Sequence, residues 1–294
     1  MTARFILTCD DDVWPDFLGF TNAIAAIKEG QLLDAVEARI CAVEIAGLKS
    51  VGTSGIPDMT GAHTLDAAVM TGNNRLFASV AALEGYAHPF KVARKMLEMQ
   101  KSEEFVYNML CGTGASVFAK SIGADKASKP HNAMNHEETQ HDTVGCIAFD
   151  GKNFAVGTST SGWGNKYPGR VGDAPIPGAG FYATNLGAAF CTWSGETSNR
   201  ILPSVKVMHA LELGLPLDKA VEFALQSCSE IKDGYIAPIV VFATTKEEFA
   251  IAAHGFESKK VPATYSFWKE GMNAPERRPV QEWHKGTNVL IVKP

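Results

Sequence analysis

One boundary constrains this chain more than any other. Residues 124–140 (ADKASKPHNAMNHEETQ) are polar, include Pro130 and show no apolar period, so they read as a mobile surface linker. Immediately beyond lie TVGCIAF (143–149) and FAVGTST (154–160), apolar runs joined across Asp150–Gly151 that read as a β-hairpin. A solvated segment therefore feeds straight into a core strand at His141–Asp142–Thr143, which leaves Thr143 at the border between water and interior.

The rest of the chain supplies layers around that hairpin. Strands are predicted at 4–9, 64–70, 76–82, 186–193, 236–243, 249–253 and 289–292, where β-favouring apolar residues sit between Gly, Asn and Asp breaks. Apolar residues recurring at three and four predict helices at 17–28, 33–46, 89–99, 103–122, 196–213 and 217–231. No internal repeat is visible. This order suits one layered α/β domain over 1–294, with helices covering stacked sheets. Periodicity alone leaves a doubly wound sheet equally open.

Of the 294 residues, 46% are hydrophobic, which is ample for a sizeable core. The net charge of −5, with basic residues unclustered, argues against nucleic-acid and membrane-surface partners. Six cysteines stand far apart with no CxxC pair, the reading expected of free buried thiols. The opening MTARFILTCDDD turns acidic too early for a secretory signal, and no apolar run reaches bilayer length, so a cytoplasmic location is expected.

Polar motifs cluster in the second half. Residues 157–162 (GTSTSG) gather hydroxyls, GRVGDAP (169–175) sets Arg170 three residues before Asp173, and CTWSGE (191–196) ends a strand in hydroxyl and glycine residues. In this order and spacing HDTVG, GTSTSG, GRVGDAPIPGAG and the TxxGE segment resemble the glycosylasparaginase and isoaspartyl peptidase (type 2 asparaginase) family. The first half is similar to it as well, in LLDAVE (32–37), VGTSGIPDMTG (51–61), LDAAVMTG (65–72) and HPFKVARKMLE (88–98). The stretch after about Gly255 matches poorly.

The resemblance implies an N-terminal nucleophile hydrolase with a four-layer αββα fold. It implies self-cleavage between Asp142 and Thr143 into chains 1–142 and 143–294, assembled as a homodimer of cleaved protomers, with no cofactor and no metal. A threonine hydroxyl is a weak nucleophile, but an N-terminal threonine carries its own base, an α-amine of pKa roughly 7.7–8.0. By resemblance Thr160 orients that hydroxyl, and Thr192 and the Trp193 N–H stabilise the oxyanion. Arg170 then grips the substrate carboxylate while Asp173 binds its ammonium group. Two departures bear on substrate. The family's Ser/Thr-Trp near the N-terminus is replaced by Thr8–Cys9–Asp10, and Trp193 stands where the family has glycine. A crowded pocket made acidic by Asp10 favours asparagine and β-aspartyl compounds. Aspartylglucosamine remains the alternative, favoured by the HDT triplet, and an uncleaved, non-catalytic binding homologue is a third reading.

Two rival motifs are weak. His131, His136, Glu137 and His141 lack the HExxH spacing that a helical zinc site needs. The GxGxxA match at Gly178–Ala183 follows a proline-rich loop rather than a strand, which does not suit a dinucleotide.

Overall fold

The computed structural model describes residues 3–10, 17–48, 50–128, 143–256, 263–280 and 289–292. In chain order the elements are β1 (Phe5–Asp10), α1 (Phe20–Lys28), α2 (Leu32–Glu44), β2 (Thr64–Thr71), β3 (Phe77–Glu84), α3 (Pro89–Lys101), β4 (Met109–Cys111) and α4 (Gly112–Ser121). After them come β5 (Thr143–Phe149), β6 (Phe154–Thr160), β7 (Phe181–Ala183), β8 (Gly187–Trp193), α5 (Gly195–Ile201), α6 (Pro203–Glu212) and α7 (Leu217–Glu230). The last are β9 (Ile239–Thr245), β10 (Phe249–His254), β11 (Thr264–Lys269), β12 (Glu276–Pro279) and β13 (Val289–Val292).

The strands form two sheets. One runs β12-β11-β1-β5-β6-β2-β3-β4, the other β13-β10-β9-β8-β7. Side chains alternate along each strand, so each sheet has two faces to bury. On β5, Val144, Cys146 and Ala148 pack with residues of α1 to α4, whereas Ile147 and Phe149 join the layer between the sheets. On β8, Ala189 and Cys191 pack with α6 and α7, and Ala188 and Phe190 turn inward. The sheets approach closely at one point. A Cβ on Gly145 would sit 2.1 Å from the Phe190 ring, so only glycine fits there.

The β5–β6 hairpin forms as its sequence indicates. Asp150 Oδ1 accepts the backbone N–H groups of Lys152 and Asn153 at 2.8 and 2.7 Å, and Gly151 takes φ 94° at the tip.

Three expectations need correction. The helix predicted over 103–122 is a short edge strand followed by a shorter helix. Residues 109–111 extend the sheet, β4 pairing parallel with β3 from Ser79↔Met109, and α4 begins only at Gly112. The helix predicted over 196–213 is broken at Leu202, which adopts φ 50° before Pro203 starts α6. Proline carries no N–H to continue the first helix, so the chain turns there. The linker expectation fails at its start, since Ala87 N donates to Asp125 O at 2.9 Å and Ala127 N to Gly85 O at 3.1 Å. Its remainder, 129–140, lies outside the described residues. Strands β7, β11 and β12 had no counterpart in the sequence reading. Gly178–Ala183 runs into β7 rather than a helix, which removes the structural context a dinucleotide motif requires. No helix among the described residues is long and apolar enough to cross a membrane.

Candidate active site

β6 lies between β5 and β2, and the register puts three polar residues in one row: Thr143 opposite Thr160, and Thr160 opposite Asp66. Alternation points all three into the layer between the sheets, because Ile147, Val156, Ala68 and Met70 on the same strands lie there. All three are buried. Thr160 is held by its own turn, where Gly162 N donates to its Oγ1 at 2.9 Å.

The second sheet reaches the same end through β8. Thr192 shares the inward face of Phe190 and is buried. Trp193 should then face the helices, as Ala189 and Cys191 do. Its φ of 85° turns it instead into the layer between the sheets, edge-to-face with Phe256 at 4.8 Å. A bulky residue in that backbone region is strained by about 1–3 kcal/mol, and such strain collects at functional sites. Glycine would carry none of that strain, which matches the residue the family resemblance implies for this position.

Arg170 and Asp173 converge over the start of α5. A Cβ on Gly195 would lie 3.0 Å from Arg170 Nη2 and 3.1 Å from Asp173 Oδ1. Arg170 spends one edge of its guanidinium on Glu196, with Nε and Nη2 each donating at 2.9 Å. Its Nη1 side faces glycines, at 3.1 Å and 3.0 Å from the positions a Cβ would take on Gly162 and Gly172. The cation stacks over Trp163 at 5.1 Å. Bare backbone on one side and a carboxylate clamp on the other leave a fixed edge for an incoming anion. Asp173 is fully buried, and burial pushes its pKa up to about 6; its own backbone N–H, Ser198 and Arg170 offset only part of that cost.

Four residues that sequence reasoning missed complete this end. Asp66 accepts Ala82 N at 2.7 Å and Gly172 N at 3.4 Å, tying the Arg170–Asp173 loop to the β2–β3 edge. Burial raises its pKa, and Lys166 opposes the shift. Lys166 is itself buried, its Nζ donating to Thr64 O at 2.9 Å and Ser161 O at 2.7 Å. An acid inside the apolar run LDAAVM was the available signal for Asp66. Glu196 could be suspected only from the contact with Arg170. The fourth is Cys9, whose Sγ donates to Thr143 O at 3.3 Å and accepts Gly145 N at 3.0 Å. Of the triplet Thr8–Cys9–Asp10, Cys9 is thus the side chain set against Thr143. Asp142 and the side chain of Asp10 lie outside the described residues, as do His131, His136, Glu137 and His141.

Comparison with known proteins bears on this geometry. The sequence model of the family described as Asparaginase matches residues 20–133 and 124–259. The chain belongs to the type 2 asparaginase family. It is 31% identical over 277 residues to a plant-type L-asparaginase of Pyrococcus abyssi, covering 85% of this chain and 87% of the relative. A Pyrococcus furiosus protein of the same name is 30% identical over 278 residues, with the same coverage of 85% and 87%. A Drosophila sechellia protein carrying the name N(4)-(beta-N-acetylglucosaminyl)-L-asparaginase is 32% identical over 244 residues, covering 65% of this chain and 61% of its own. The match of this asparaginase-family chain ends at residue 259, before β11 and β12. Those strands belong to the main sheet, where β11 pairs with β1.

Proposed function

We propose that this chain is a self-processing amidohydrolase that cleaves the side-chain amide of asparagine or β-aspartyl compounds through Thr143. The observation that carries the reading is the convergence just described. Thr143 opens a buried strand in register with Thr160, and Thr192 faces the same layer. Arg170 and Asp173 meet at Gly195, at the end of β8 that Thr192 occupies. The arrangement of helices, two facing sheets and helices supports reading the fold as the four-layer αββα sandwich of N-terminal nucleophile hydrolases.

The chemistry follows from the groups present. Thr143 Oγ1 attacks the Asp142 carbonyl carbon and the C–N bond breaks, leaving an ester that water hydrolyses to a free Thr143 amine and an Asp142 carboxylate. That amine then takes the hydroxyl proton as Oγ1 attacks the substrate amide carbon. Thr192 and the Trp193 N–H donate to the oxyanion, so the strained φ of Trp193 serves to aim a backbone donor. The amine leaves with the proton, and water releases the β-aspartyl group as a free carboxylate. Arg170 holds the α-carboxylate and Asp173 the α-ammonium, which fixes the reacting carbonyl. Thr160 orients Oγ1 from the neighbouring strand.

On the leaving-group side Trp193 fills space between the sheets, which disfavours a bulky sugar amine. The longer coverage by plant-type L-asparaginase relatives supports the same ranking. The glycosylated substrate is the second reading, favoured by the fruit-fly relative. Measuring kcat/KM for L-asparagine, β-aspartyl-lysine and aspartylglucosamine separates them. The small amides should be preferred. A tenfold preference for the glycosylated substrate, about 1.4 kcal/mol in transition-state binding, would overturn the ranking.

A further inference from the structure

On the face of the main sheet away from Thr143, a second cluster joins α2, α3 and β6. Ligand atoms of Cys41, Glu44 and His88 all lie within 4.8 Å of one another. Cys41 and Glu44 are three residues apart on α2, hence on one side of the helix, and His88 caps α3. The Glu44 carboxylate is divided in its roles. Oε1 is anchored, accepting Ser159 Oγ at 2.7 Å and Phe90 N at 3.1 Å. Oε2 points at the cluster, 3.0 Å from His88 Nδ1. Cys41 and Glu44 are buried, and the His88 side chain is 13% exposed, so the cluster lies close under the surface.

We propose that Cys41, Glu44 and His88 form a divalent transition-metal site, with zinc the best-fitting ion. One thiolate, one imidazole and one carboxylate make a donor set that zinc takes readily, leaving a fourth position on the solvent side. The distances suit it after a modest contraction, since zinc holds sulfur at about 2.3 Å and nitrogen at about 2.0–2.1 Å. Glu44 would bind through Oε2 while Ser159 and Phe90 keep holding Oε1, the outer-sphere support that fixes a metal-bound carboxylate. Binding exchanges the Cys41 thiol proton for the metal and releases it to water; His88 gives up its Nδ1 proton, the neutral ring then carrying its proton on Nε2, so the Glu44–His88 hydrogen bond is replaced by one bond from each residue to the ion. The site would clamp two helices onto β6 at Ser159, next to Thr160, and it does not depend on the reaction proposed above.

The test uses the full-length protein, stripped with a chelator and titrated with cobalt(II). The expected result is one equivalent bound with a thiolate-to-cobalt charge-transfer band that zinc abolishes. Cys41→Ser should remove the band, and His88→Asn should weaken binding at least tenfold. Cys111→Ser, at the exposed cysteine, should leave the band unchanged. Circular dichroism checks that each variant is folded. Because serine replaces the thiol with a hydroxyl of similar size, Cys41→Ser tests ligation rather than packing. Zinc should also raise the melting temperature of wild type but not of Cys41→Ser. A wild-type protein without the thiolate band, or a band that survives Cys41→Ser, overturns the proposal.

Discussion

The hairpin of β5 and β6 has two ends, and they are built for opposite purposes. Beside the turn Phe149 pairs with Phe154, their rings 4.5 Å apart, and Phe5 packs at a tilt against Phe149 at 5.3 Å. At the open end, on the same face of the same strands, Thr143 pairs with Thr160. At the open end the inward positions of β5, β6 and β2 hold Thr143, Thr160 and the buried Asp66, and Asp66 in turn accepts from the loop that carries Arg170 and Asp173. The aromatic end removes apolar area from water and holds the sheets together. The polar end buries groups that burial penalises, as the raised pKa of Asp173 records. The contrast teaches that the polar end relies on its aromatic neighbour for stability, as a site kept for the proposed chemistry would.

The sharpest way to break this comparison is Thr143→Ala. On our reading it removes the attacker in processing and the nucleophile in turnover together. The variant should stay as one folded chain with no measurable amidase activity and a melting temperature close to that of the precursor. Activity that survives the change would assign the chemistry elsewhere.

Phe149→Ala probes the other end. Losing a fully buried ring should cost about 3–5 kcal/mol of stability by chemical denaturation. The folded fraction should retain wild-type kcat. If kcat fell with stability unchanged, the division between the two ends would be wrong.

Thr192→Ala should slow turnover by about 10²–10³, or about 2.7–4 kcal/mol, with little change in substrate binding. A change confined to KM would remove Thr192 from the oxyanion role.

The smallest effect concerns pH. Asp173 must be ionised to hold an ammonium group, so KM should rise as pH falls through about 6. Linkage gives the opposite sign for the empty protein. A carboxyl whose folded pKa is raised stabilises the fold below its unfolded pKa, and that contribution is lost as pH rises through about 6. Asp173→Asn should therefore raise the melting temperature more at pH 8 than at pH 4, while abolishing the pH dependence of KM. Equal shifts at both pH values would contradict the burial of an ionised Asp173.

Much of this was legible in the sequence because local rules and the fold agreed. The hairpin, the strand that Thr143 opens and the Arg170–Asp173 spacing follow from alternation, turn residues and motif order. What was not legible was decided by contacts distant in sequence. Residues 105–111 have an apolar spacing that suits a helix, yet pairing with β3 draws part of them into the sheet. Cys9 faces Thr143 only because β1 lies beside β5, and Glu196 matters only because α5 brings it to Arg170. Asp66 carried a local sign, an acid at an inward position of an apolar strand, but its partners Ala82 and Gly172 come from two other segments. Pairing of β11 with β1 likewise joins residues more than 250 positions apart.

The central claim is that Thr143 becomes the first residue of a second chain. N-terminal sequencing of the purified, active protein tests it directly. Two fragments are expected, one starting Thr-Val-Gly-Cys. A single uncut chain with full amidase activity, or a second fragment with any other start, would contradict it.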